Sequence, residues 1–158
     1  MCSSDLNAGG SGVVMMGHPA LLNFLDHCRI ENCGQRDGAP YIRFMQSGYA
    51  TALMYHSRII HTKGPPPPVM VDVEGHYYTR FVDVRISGAT GAIALRSTSP
   101  VAWLEGVTAD GRLQTPEDSR GLSADPPHGA APFGTQAPAG GPAGLWLIEH
   151  SRFRKSGL

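Results

Sequence analysis

The sequence predicts an all-β solenoid of four or five coils, because one short phrase recurs four times, alternates with the period of a strand, and closes on turn signals. The phrases are FLDHCRIENC, LMYHSRIIHT, FVDVRISGAT and LIEHSRFRKS, centred on Cys28, Ser57, Val84 and Ser151. Three residues before each centre stands an apolar side chain: Leu25, Met54, Phe81 or Ile148. One residue after it comes an arginine (Arg29, Arg58, Arg85, Arg152), and two after it Ile30, Ile59, Ile86 or Phe153. Self-similarity of this kind marks stacked units, none of which buries its apolar face until a neighbour covers it.

The elements follow in order. In the first phrase Cys28 and Ile30 point inward and Arg29 outward, the period of a strand rather than of an amphipathic helix. The alternation breaks at Asp26-His27, which predicts a corner where two strands meet, and Cys33-Gly34 supplies the next turn. Tyr41 to Met45 alternates well enough for a further strand. The second phrase repeats the scheme, with its corner at Tyr55-His56 and its turn at Lys63-Gly64. Pro65 to Pro68 donates no ladder hydrogen bonds and reads as a polyproline II loop, and Val69 to Val73 as a strand. The third phrase turns at Val82-Asp83.

Cys28 to Ser57 is 29 residues and Ser57 to Val84 is 27, but Val84 to Ser151 is 67, enough for an extra coil and an insertion. VAWLEGVTADG is the expected extra phrase, with Val107 in the column of Ile86, Glu105 at the inward centre and Gly111 closing the turn. Domain organisation is then coils over 7–111, a Pro/Gly/Ala-rich insertion over 112–144 with few large apolar residues, and a further coil over 145–158, turning at Glu149-His150. Residues 1–6 (MCSSDL) resemble a translated sequencing adapter, and the chain stops at Ser156-Gly157-Leu158 as a coil turns. The expectation is a scar followed by an internal piece of a longer solenoid.

Lys and Arg balance Asp and Glu at 13 each, which leaves no electrostatic footprint for nucleic acid, and there is no apolar run that would span a bilayer. Cys28 and Cys33 both fall in small inward columns and read as buried free thiols. A zinc set of His18, His27, Cys28 and Cys33 is disfavoured because adjacent strand residues His27 and Cys28 face opposite ways.

Stretches such as DHCRIENCG and EHSRFRKSG resemble one coil of the right-handed parallel β-helix family, the pectin-lyase-like fold, over roughly residues 21–157. The resemblance implies a secreted or cell-surface protein that faces polysaccharide. The family includes polysaccharide lyases, epimerases, polygalacturonases, phage tailspikes and non-catalytic surface proteins, so it does not fix an activity. Leu25-Asp26-His27-Cys28 resembles the WIDH strand of pectate lyases without its tryptophan, and neither an RxPxxR motif nor the paired aspartates of polygalacturonases occur.

Stacking places Arg29, Arg58 and Arg85 in an outward ladder that Arg152 joins farther along. The row is either solvated and relieved by Asp26, Glu31, Asp83 and Glu149, or a cationic strip for uronate or sulfate groups. His27, His56 and His150 form a second ladder, able to act as acid or base or, with Tyr55, to lie beside a sugar. No cofactor motif is read. Calcium is the ion implied by the lyase members, and Asp72, Glu74 and Asp83 are the set that would hold it. Three functions are carried forward: a binding module for extended, acidic polysaccharide, a polysaccharide lyase or epimerase, and a structural stalk or fibre.

Overall fold

The computed structural model describes residues 10–16, 22–34, 37–45, 50–115 and 145–154, and these form a parallel β-helix of five coils. Each coil contributes three strands: β1 (Val13–Met16), β2 (Leu22–Asp26) and β3 (Arg29–Glu31), then β4 (Ile42–Met45), β5 (Thr51–Tyr55) and β6 (Arg58–Ile60). The third coil holds β7 (Val69–Glu74), β8 (Tyr78–Val82) and β9 (Arg85–Ser87). The fourth holds β10 (Ile93–Ser97), β11 (Val101–Glu105) and β12 (Thr108–Ala109), and the fifth β13 (Arg112–Gln114), β14 (Leu145–Glu149) and β15 (Arg152–Phe153). Like strands of successive coils pair in parallel, giving three five-stranded sheets: β1-β4-β7-β10-β13, β2-β5-β8-β11-β14, and β3-β6-β9-β12-β15. Residues 1–9, 116–144 and 155–158, with the adapter-like stretch, most of the expected insertion and the last turn, lie outside the described residues, as does His18.

The predicted columns are the columns of the core. Leu25, Met54, Phe81, Leu104 and Ile148 are in register along the second sheet, and all but Ile148 are buried. Ile30, Ile59, Ile86 and Ala109 are in register along the third and buried. From the first sheet Ile42, Phe44, Val71, Val73 and Leu95 fill the space between them. Cys28 and Cys33 are buried, as expected of small inward residues. Pro65 to Pro68 lies outside the strands, immediately before β7.

Two boundaries differ from expectation. Val107 occupies the centre column rather than that of Ile86, because β12 pairs Ala109 with Ile86, and Glu105 pairs with Val82 before the corner instead of facing inward. Burial decides this register: it puts Leu104 under Phe81, whereas the expected one would drive a carboxylate into the core. Arg112 to Gln114 form a strand rather than the start of the insertion, because their backbone pairs with β10 and Leu113 packs on the core.

The corner between the second and third sheets is made the same way on every coil. His27, His56, Asp83, Gly106 and His150 have φ of 51°, 47°, 52°, 64° and 51°. One left-handed residue reverses the chain without breaking the ladder. The corner N–H donates onward, His56 to Val82 O (2.9 Å) and Asp83 to Glu105 O (2.9 Å), while the arginine N–H donates backward, Arg58 to Cys28 O (2.8 Å) and Arg85 to Ser57 O (2.9 Å). The centre N–H between them needs another acceptor. Ser57 Oγ accepts from Cys28 N (3.1 Å) and Ser151 Oγ from Val107 N (2.9 Å), which gives the small centre column a chemical reason beyond its size. At the next turn the backbones approach so closely that a Cβ on Gly88 would lie 2.0 Å from His61 O. The Asp110 carboxylate accepts there from Gly88 N (2.7 Å) and Ala89 N (2.6 Å).

Left-handed backbone costs an ordinary L-residue about 1–2 kcal/mol, and least for Asn, Asp and His. Asp83→Val is therefore expected to lower unfolding free energy by about 1–2 kcal/mol and Asp83→Asn by a few tenths; urea denaturation of both variants checks this, and equal stability would contradict it.

His76 is 2% exposed, with Nδ1 3.1 Å from Glu74 O and Nε2 2.8 Å from Asn23 Nδ2. Nδ1–H donates to the carbonyl and Nε2 accepts from the amide, so the ring is neutral. Burial holds its pKa below the ordinary 6.5. On acidification the unfolded chain takes up this proton first, so the stability His76 contributes is present above about pH 6.5 and is lost as pH falls below it. The urea midpoint is expected to drop between about pH 7 and about pH 5.5, and to drop less in His76→Gln. Identical pH dependence of the two proteins would contradict the assignment.

Candidate functional site

The left-handed corner aims successive side chains outward in one column, and the arginine column stands two residues farther along each coil. Arg29, Arg58 and Arg85 are in register on β3, β6 and β9, as predicted. On the fourth coil the register places Thr108, and Arg152 resumes the column on β15. The corner column likewise runs His27, His56, Asp83, Gly106, His150. Both columns thus lose their long side chains on the same coil. The result is a cleft of about 420 Å³, with Gly106, Thr108 and Val84 in its lining and His56, Asp83, Arg58 and Arg85 beside them.

Charge pairing along this edge is uneven. Arg29 is held by Glu31, Nη2 to Oε2 at 2.9 Å, so one of the four expected relieving carboxylates does that work. Asp26 instead serves the histidines: its Oδ1 lies 2.8 Å from His27 Nδ1 and 3.1 Å from His56 Nδ1. Hydrogen bonds first from His56 and then from His27 hold the Asp26 carboxyl below the usual carboxylate range. The two imidazoles stack with centroids 4.7 Å apart. Asp83 reaches His56 from the other side, Oδ2 to Nε2 at 3.8 Å. Among the described residues no carboxylate pairs with Arg58 or Arg85, although both are exposed on adjacent coils.

Beside the corner, the outer face of the second sheet carries a band of which the sequence reading singled out Tyr55 but not Arg80 or Trp103. Arg80 lies over Trp103, 4.3 Å from its ring centroid, and 5.8 Å from that of Tyr55. Tyr55 packs on Phe24 at 5.4 Å. Outward alternation in YTRFV and VAWLE was the signal for this band, since Arg80 and Trp103 are register partners.

The structure does not assemble the expected calcium set. Asp72 is 2% exposed on the first sheet and takes a bidentate ion pair from Arg96, Nε to Oδ1 at 2.8 Å and Nη2 to Oδ2 at 2.6 Å. Glu74 is exposed at the end of β7, and Asp83 stands at the corner of the other two sheets. Among the described residues, the cluster of three carboxylate or imidazole side chains that does come together is Asp26, His27 and His56. His150 is in the corner column but two coils beyond Asp83 and three beyond His56, with Gly106 interposed.

Fold and site together define a parallel β-helix with a cleft at one corner that Arg58, Arg85 and Asp83 line. No protein-family model matches the chain, and comparison with curated proteins and with solved structures gives no match.

Proposed function

We propose that this chain is a binding module for an extended, acidic polysaccharide, of the kind met at a cell surface or outside the cell, seated along the corner between the second and third sheets. The observation that carries the reading is the pair Arg58 and Arg85: exposed, in register, without a carboxylate partner among the described residues, and bordering the cleft opened by Gly106 and Thr108. Parallel strands stack at about 4.8 Å, so Arg58 and Arg85 present two guanidinium forks about one strand spacing apart to an extended chain that bears carboxylates. Planar, bidentate recognition of carboxylate is what arginine does better than lysine. The Tyr55, Arg80 and Trp103 band beside the cleft supplies flat apolar surface for sugar rings. The resemblance of the coils to the pectin-lyase-like family points to the same class of ligand.

A lyase or epimerase is the second reading, favoured by His56, whose imidazole stands between Asp26 and Asp83 in the cleft lining and is placed to exchange a proton. Release of unsaturated ends from a polyuronate would favour it over simple binding.

Hydrogen bonds to charged groups contribute about 1.5–3 kcal/mol, so Arg58→Ala and Arg85→Ala are each expected to weaken polyuronate binding about 10- to 100-fold. Arg29→Ala, whose guanidinium already pairs with Glu31, should weaken it less. Retention on immobilised polyuronate at low salt measures all three. Unchanged retention of the Arg58/Arg85 double variant overturns the reading.

A further inference from the structure

We propose that Asp26, His27 and His56 form a binding site for a divalent transition-metal ion of the zinc class. Their donor atoms all lie within 4.8 Å of one another. For tetrahedral zinc with bonds of about 2.0–2.1 Å, neighbouring donors stand roughly 3.3 Å apart. His27 Nδ1 and His56 Nδ1 are 2.8 and 3.1 Å from Asp26 Oδ1, so these two separations widen by a few tenths of an ångström and the two imidazole nitrogens, within 4.8 Å of each other, close around the ion as the bridging protons leave. Two imidazoles and one carboxylate select zinc, nickel, copper or cobalt over calcium and magnesium, which take oxygen donors throughout.

The backbone prepares the site. Left-handed φ at His27 (51°) and His56 (47°) aims both rings from the same corner of adjacent coils, and their backbones are tied into the ladder by His27 N to Tyr55 O (3.1 Å) and His56 N to Val82 O (2.9 Å). Asp83 adds the outer partner. With His56 Nδ1 facing Asp26, its Nε2 faces Asp83 Oδ2 at 3.8 Å, longer than a hydrogen bond but on the side where a carboxylate accepts from Nε2–H in a carboxylate–histidine–metal arrangement once the two close up. His27 and His56 both line the cleft, so a fourth ligand reaches the ion from solvent. This inference does not depend on polysaccharide binding, and a metal titration in the absence of any glycan tests it alone.

The experiment is calorimetric titration of the tag-free full chain with zinc chloride, repeated with cobalt chloride and read by visible absorption. Asparagine substitutions are the appropriate variants, because asparagine tolerates the left-handed corner and alanine does not. One zinc per chain is expected, with the intense cobalt bands of a four-coordinate site. Loss of an outer-shell partner typically weakens metal binding 10- to 100-fold, so loss of a direct ligand in His27→Asn, His56→Asn or Asp26→Asn is expected to exceed about 100-fold. His150→Asn, in the same column but outside the cluster, should leave affinity unchanged. Circular dichroism confirms that each variant folds. Absence of zinc binding, equal affinity in the His27/His56 double variant, or loss of binding on His150→Asn alone would each overturn the proposal.

Discussion

Everything in this molecule depends on a hydrogen-bond ladder that passes around a corner without interruption. A parallel sheet joins each strand to its neighbours above and below, and a chain that turns from one sheet to the next would ordinarily orphan the amides at the bend. Here a single left-handed residue at this corner of each coil solves the problem: its N–H bonds forward, the N–H two residues later bonds backward, and at Cys28 and Val107 a serine of the next coil takes the amide between. The cost of that backbone conformation explains why histidine, aspartate and glycine occupy the column and branched residues do not.

The same constraint generates the candidate site. A corner residue cannot turn inward, so whatever tolerates the conformation is displayed to solvent at the spacing of the strands, and the arginine column follows it around the bend. Where the column holds histidine twice in succession, Asp26 is drawn between the rings; where it holds glycine, and the arginine is replaced by threonine, a cleft opens. The candidate site thus arises from departures from the repeat. The regular positions build the scaffold, and Gly106 with Thr108 shape the cleft on it.

Much of the scaffold was legible. Leu25, Met54 and Phe81 announce one core column and Ile30, Ile59 and Ile86 another, because strand alternation and coil spacing are both written in residue type. The fourth coil was misplaced by two residues because Thr108 and Ala109 replace the arginine and isoleucine that mark the register elsewhere. Reading Gly106 as the corner residue, alongside His27, His56 and Asp83, would have corrected it. Strands β1 and β10, like β4 and β7, carry no part of the repeated phrase, and unlike those two they were not read from alternation. The site was half legible. The arginine ladder followed from register, but ion pairing did not: Asp26 and Asp83 turned to the histidines, and Asp72 to Arg96, choices set by side-chain direction in three dimensions rather than by nearness in sequence.

The central claim is that the ladder continues through the corner, and amide hydrogen exchange followed residue by residue tests it most directly. The amides of His56, Asp83, Arg58 and Arg85 should exchange as slowly as those of the flanking strands β5, β6, β8 and β9, opening with the same free energy because each coil is one cooperative unit. Rapid exchange at these four amides beside protected strands would show a broken ladder, and the account of both the corner and the site built on it would fail.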